Sequence, residues 1–167
     1  MGTNHHWSVG YLLDGGKRIQ YPRPMRILCL DVGSKTIGVA VSDPMGWTAQ
    51  GVTTVRRRNG LADDEAIARL IREYEARQIL VGLPINMNGT EGPQAEAMRK
   101  YARHLGEKFS LPILLWDERL STVAAGEFLA QASVKRAKRK RVIDKMAAVF
   151  ILQGYLDSLR ADKGLRV

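Results

Sequence analysis

The sequence predicts an α/β fold: a five-stranded mixed sheet, its first three strands antiparallel, flanked by helices. Three observations lead there. Three short apolar or β-branched runs, separated by turn formers, follow one another between residues 27 and 55. The periodicity then changes from strand-like to helical over "LADDEAIARLIREYEARQ". From that point helical and strand-like segments alternate, which builds a sheet with helices on its faces. No internal repeat is present.

Taken in order, "ILCLD" (27–31) is a nearly continuous apolar run, as expected of a central strand buried on both faces. "VGSKT" (32–36) reads as a turn and "IGVAVSD" (37–43) as the hairpin partner, with Gly38 suggesting close backbone packing. After the turn signal "PMGWTA", the β-branched run "QGVTTV" (50–55) makes a third strand nearer an edge. The first helix places Ile67, Leu70, Ile71 and Tyr74 on one stripe, with its acidic residues at the N-terminal end, where the helix dipole favours them. "ILVGL" (79–83) is a fourth strand and "PINMNGTEG" a loop rich in turn formers. Pro93 suits the first turn of a second helix, whose stripe is Met98, Tyr101, Ala102, Leu105 and Phe109. "PILLWDE" (112–118) is the fifth strand; Ser121 or Thr122 can cap a helix "VAAGEFLAQA". A last helix is expected over roughly 142–160, after the basic run "SVKRAKRKR".

With 167 residues the chain is expected to form one domain over 25–160, preceded by a weakly ordered arm (1–24) and followed by a short tail (161–167). A formal net charge of +9 favours a polyanionic partner. The single cysteine, Cys29, cannot form an internal disulfide and fits a reducing, cytoplasmic compartment. No run approaches the length of a membrane span, and residues 1–24 lack the charged-then-apolar order of a signal peptide. His5 and His6, adjacent on an arm, do not suggest a selective metal site.

The chemistry lies in carboxylates. Asp31 ends the first strand, Asp117 and Glu118 end the fifth, and Asp144 is expected in the first turn of the last helix, on a face shared with Ala147, Ala148, Ile151 and Tyr155. Ligands of open α/β sheets bind outside the carboxyl ends of strands. Carboxylates converging there repel one another unless a cation neutralises them, and Mg²⁺ or Mn²⁺ suits oxygen ligands. Two such ions can clamp the attacking water and leaving oxygen of a phosphodiester. Each acid also has a plain structural role open to it: Asp144 as a dipole cap, Asp117 as a partner of Arg119, Asp31 as a brace for its turn. Lys135, Arg136, Lys138, Arg139, Lys140 and Arg141 form a basic run just before Asp144 that could bind phosphates. Lys35, Asn86, Asn88 and Arg119 are further candidates for nucleic-acid contact, and "VRRRNG" is a second basic cluster.

"LDVGSKTIGVAVSD", "ILVGLPINMNGTEGPQA", "WDERLST" and "VIDKMAAVFILQGYLD" together resemble the YqgF/RuvX family, the Holliday-junction-resolvase-like proteins. The resemblance runs in order from about Met25 to Leu159 and does not extend to residues 1–24. It implies an RNase H-like fold and a divalent-metal-dependent nuclease acting on structured nucleic acid. The implied role is processing of the 5′ end of pre-16S rRNA in ribosome biogenesis, or alternatively resolution of Holliday junctions in branched DNA. It places the acidic site on Asp31, Glu118 and Asp144, with Asp117 adjacent as a further ligand candidate. A non-catalytic RNA-binding assembly factor is the third reading. An actin/hexokinase-type ATPase, which starts with a similar Asp-x-Gly turn, needs two such domains. The sequence leaves monomer and homodimer both open.

Overall fold

The computed structural model describes residues 10–14, 17–21, 25–120 and 136–162, with side chains over 25–120 and 145–160. Its strands are β1 (Gly10–Asp14), β2 (Lys17–Tyr21), β3 (Arg26–Val32), β4 (Thr36–Ser42), β5 (Ala49–Arg56), β6 (Ala76–Leu83) and β7 (Ile113–Asp117). Its helices are α1 (Gly60–Glu73), α2 (Pro93–Phe109) and α3 (Arg136–Asp162), with one 3-10 turn at Glu118–Leu120. The expected helix over "VAAGEFLAQA" and its cap at Ser121 or Thr122 lie outside the described residues.

The main sheet runs β5-β4-β3-β6-β7. β3 pairs antiparallel with β4 and β4 with β5, while β3–β6 and β6–β7 are parallel. The meander and the crossovers expected from the sequence are therefore both present, and they meet at β3. That position explains its unbroken apolar run. Leu28 and Leu30 belong to one core with Ile67 and Leu70 of α1 and Leu105 of α2. Ile27 and Cys29 point to the other face, where Ala148, Ile151, Leu152 and Leu156 of α3 cover them. Each large aliphatic side chain buried this way is worth about 1.5–3 kcal/mol.

Local chemistry sets the helix ends. Asn59 caps α1, its Oδ1 accepting from the Ala62 amide at 2.9 Å. Pro93 opens α2, as the sequence suggested, and Ser110 closes it in the left-handed conformation at φ +52°. The last helix differs from expectation. It starts at Arg136, six residues before the expected boundary, so the basic run from Arg136 to Arg141 is helical backbone and Asp144 sits in the third turn rather than the first. Lys, Arg and Ala are strong helix formers, and that propensity outweighs the dipole penalty of positive charge at an N-terminus.

Within the segment expected as an arm, β1 and β2 pair antiparallel from Gly10↔Tyr21 to Asp14↔Lys17 and form a sheet of their own. Among the described residues no helix is long and apolar enough to cross a membrane.

Candidate active site

Asp31 is the second-last residue of β3 and pairs with Gly38 of β4. Its side chain shares a face with Ile27 and Cys29, the face covered by α3. The chain then turns at Gly33, whose amide donates to the Thr36 carbonyl at 2.8 Å. A Cβ on Gly33 would sit 3.1 Å from that same carbonyl oxygen, so close backbone approach, not a positive φ, calls for glycine here.

Glu118 reaches the same face from β7. Leu30 is opposite Val81 and Gly82 is opposite Trp116, so Asp31, Gly82 and Trp116 form one row across three parallel strands. Glu118 follows at the start of the 3-10 turn, and its side chain lies over Gly82. A Cβ on Gly82 would stand 2.7 Å from Glu118 Oε1 and 2.9 Å from Cδ1 of Ile151 in α3. Gly82 thus makes the floor on which Glu118 lies. The lone glycine in the otherwise apolar "ILVGL" was the available signal for it, since glycine inside a strand often marks a close approach.

The electrostatics show that the acids converge. Burial, then the negative charges of Asp31 and Asp117, push the Glu118 carboxyl up to about 7. The Cys29 thiol, fully buried beneath them, is pushed well up by burial and then by Asp31 and Glu118. Asp117 behaves oppositely. Its carboxylate accepts from Arg119 Nη2 at 2.6 Å, Arg119 Nε at 3.0 Å and the Arg119 amide at 2.9 Å, and this hydrogen bonding holds it below the usual carboxylate range. Asp117 therefore has a side-chain cation already, and Arg119 Nη1 reaches on to the Asn86 carbonyl at 3.4 Å. One arginine so ties the end of β7 to the loop after β6.

That loop is internally braced. Asn88 Oδ1 accepts from the amide and hydroxyl of Thr90, and Asn86 Nδ2 donates to Thr90 Oγ1 at 3.0 Å. Asn86 and Asn88 thus shape the turn while remaining exposed, beside Arg119. Lys35 is exposed in the β3–β4 turn, and its carbonyl accepts from the Arg57 amide at 2.9 Å.

Asp144 lies in α3 one turn before the buried Ala148 and two turns before Ile151. The side chain of Asp144, those of Arg136, Lys138, Arg139, Lys140 and Arg141, and Lys135 as a whole lie outside the described residues. Among the described residues no group of three or more His, Cys, Asp or Glu is arranged so that it could hold a metal ion. Two carboxylates on one face, Asp31 and Glu118, make a donor set suited to a hard divalent cation.

Sequence reasoning missed the support beneath the turn. Asp63 and Asp64, expected only as acids favoured by the helix dipole, are both buried, at 4% exposure each. Asp63 takes Arg57 Nε at 3.4 Å and the Arg58 amide at 3.0 Å; Asp64 takes His104 Nε2 of α2 at 2.8 Å. Arg57 Nη1 in turn donates to the Gly33 carbonyl at 2.9 Å, and its guanidinium stands 5.8 Å from the Tyr101 ring centre. Asp63 lies one turn before Ile67 on the apolar stripe, and that register was the sign of burial.

Comparison with known proteins gives a consistent picture. The profile of the family described as "RuvX: Holliday junction resolvase" matches residues 25–158. A protein of Moorella thermoacetica named "Putative pre-16S rRNA nuclease" is 60% identical over 135 residues, covering 81% of this chain and 96% of its own length. One of the same name from Bacillus licheniformis is 57% identical over 139 residues, covering 82% of this chain and 100% of its own. Among solved structures, T. thermophilus RuvC in complex with a Holliday junction substrate superposes with a TM-score of 0.52. It is 11% identical and covers 84% of this chain and 96% of its own. That likeness shows the RNase H-like fold of the resolvases.

Proposed function

This chain belongs to the RuvX family, and on that premise we propose that it is a divalent-metal-dependent nuclease that hydrolyses phosphodiester bonds of structured RNA, processing the 5′ end of pre-16S rRNA in the cytoplasm. The observation that carries the reading is the placing of Asp31 and Glu118 on one face, at the carboxyl ends of β3 and β7, close enough that Asp31 acts on the charge of Glu118. Carboxylates brought together in this way are oxygen donors of the kind a hard divalent cation takes.

In this reading Asp31, Glu118 and Asp144 hold Mg²⁺ or Mn²⁺. When bound, the metal activates water as nucleophile and neutralises charge developing on the phosphate. The chain's own residues do the rest. β3 and the Gly82 floor orient the two strand-end carboxylates. Asp117 acts as a positioning residue, not a ligand, keeping the Arg119 guanidinium at the mouth of the site for a phosphate oxygen. Lys35, Asn86 and Asn88 contact the nucleic acid from the two turns that flank the acids. The helical run from Arg136 to Arg141, with Lys135 before it, delivers the substrate backbone beside Asp144.

Resolution of branched DNA is the second reading, favoured by the family's own description; it requires two copies acting as a symmetric dimer. The test is cleavage of a pre-16S 5′-leader RNA and of a four-way DNA junction, with Mg²⁺, Mn²⁺ or EDTA. The expected result is metal-dependent cutting of the leader, lost by more than about a hundredfold in Asp31→Asn, beyond the loss of an outer-sphere partner. Preferred cutting of the junction selects the second reading. Equal binding by both proteins without cutting selects an assembly factor.

A further inference from the structure

We propose that Arg56, Arg58 and Arg69 form a separate phosphate-binding site, which takes the sugar–phosphate backbone of the nucleic acid away from the bond that is cut; this rests on the nuclease reading. The segment "VRRRNG" is where β5 ends and α1 begins, and its three arginines divide. Arg57 turns inward, to Asp63 and the Gly33 carbonyl. Arg56 and Arg58, on either side of it, are exposed. They line a cleft of about 280 Å³ with Val55 and with Ala62, Glu65 and Arg69 of α1. Positions 62, 65 and 69 share one helical face, so Arg69 is carried to the same opening.

Three arginines thus line one cleft that holds a single carboxylate, Glu65. None of the three has an ion pair among the described residues, whereas Arg57, Arg99, Arg119 and Arg160 each have an acidic partner. Unpaired arginines gathered this way repel one another, and a polyanion relieves that repulsion. Guanidinium is also the group whose planar fork matches phosphate oxygens.

Location gives the cleft its role. Arg56 is opposite Thr36, and Asp31 is opposite Gly38, itself opposite Thr54. The Arg56 backbone is therefore two strand spacings across and two residues along from Asp31, roughly 12 Å away. By strand register Arg56 shares the α3 face with the acids, whereas Arg58 and Arg69 lie at α1, so a backbone touching all of them crosses the end of the sheet. In a stacked strand that separation corresponds to about three or four nucleotides.

The test is equilibrium binding in EDTA, across a salt titration, of a labelled leader RNA and a labelled four-way DNA junction. The variant Arg56→Gln/Arg58→Gln/Arg69→Gln is compared with Arg72→Gln/Arg77→Gln/Lys108→Gln, which removes equal charge at the opposite end of the sheet. The slope of log affinity against log salt is expected to flatten by about 2 to 3 in the first variant and to stay unchanged in the second. Flattening with RNA alone assigns the cleft to an RNA backbone, and with the junction alone to DNA. An unchanged slope in the first variant, or equal flattening in both, overturns the proposal while leaving the nuclease reading intact. Failure of the parent protein to bind either substrate removes the nuclease reading and the cleft with it. A replacement of the three arginines by lysine, which keeps the charge, retains the slope and controls for folding.

Discussion

Glu118 lies close over Gly82: a methyl group there would stand 2.7 Å from its carboxylate oxygen and 2.9 Å from the end of the Ile151 side chain. Gly82→Ala must therefore displace Glu118, Ile151 or both. Overpacking of this kind costs about 1–3 kcal/mol, which a domain of this size survives. The expected outcome is a folded protein, with thermal midpoint lowered by several degrees, whose metal-dependent cleavage falls by more than about tenfold. Full activity in Gly82→Ala would show that the position of Glu118 is not critical.

The raised Glu118 carboxyl links stability to pH in the metal-free protein. Its value in the fold, about 7, stands above the ordinary 4.5, so between the two the folded form holds the extra proton. Stability contributed by this group is full below about pH 4.5, is lost as pH rises through 7, and then levels. Glu118→Gln removes the charge while keeping the shape. In EDTA it melts above the parent protein at about pH 8 and together with it near pH 4. Adding Mn²⁺ at pH 8 stabilises the parent and not the variant. A variant that melts with or below the parent at pH 8 in EDTA contradicts the crowding of the acids.

The Asp117 carboxylate is held by the Arg119 guanidinium. Asp117→Asn keeps a hydrogen-bond acceptor but loses the charge that holds the guanidinium. Cleavage is expected to fall by about ten- to a hundredfold, as for a residue acting through its neighbour, with apparent metal affinity unchanged. A drop in metal affinity as large as that of Asp31→Asn would make Asp117 a ligand.

Residues 1–24 contribute a hairpin with its own sheet, before the segment that the family profile matches. Removing them is expected to leave the thermal midpoint and the cleavage rate of the remaining domain unchanged. Loss of either would tie the hairpin to the domain.

The sheet was legible because each central strand is buried on both faces and so reads as an apolar run. Its carboxyl-end acids were legible for the same reason: a charge such as Asp31 stands out after Ile27–Leu30. The start of α3 was not. A dense basic run looks like a solvated loop, yet Lys, Arg and Ala extend a helix already stabilised by Ala148, Ile151 and Leu152 on the sheet. Asp63 and Asp64 were misjudged because an acid in a first turn has a ready explanation in the dipole. Their burial depends on Arg57 and His104, partners that only the packing of α1 against α2 and β5 brings within reach. The Asp117–Arg119 pair was one of two open alternatives, and it needed the 3-10 turn to be decided.

The order of strands also has a consequence during synthesis. β3 leaves the ribosome early, but its parallel neighbour β6, the Glu118 turn after β7, and α3 follow in succession, with Asp144 among the last residues to emerge. Folding that proceeds from the N-terminus can complete the antiparallel meander first. It cannot bring Asp31 and Glu118 together until β7 has emerged. The proposed nuclease centre is thus a late product of folding, built onto a meander that is already in place.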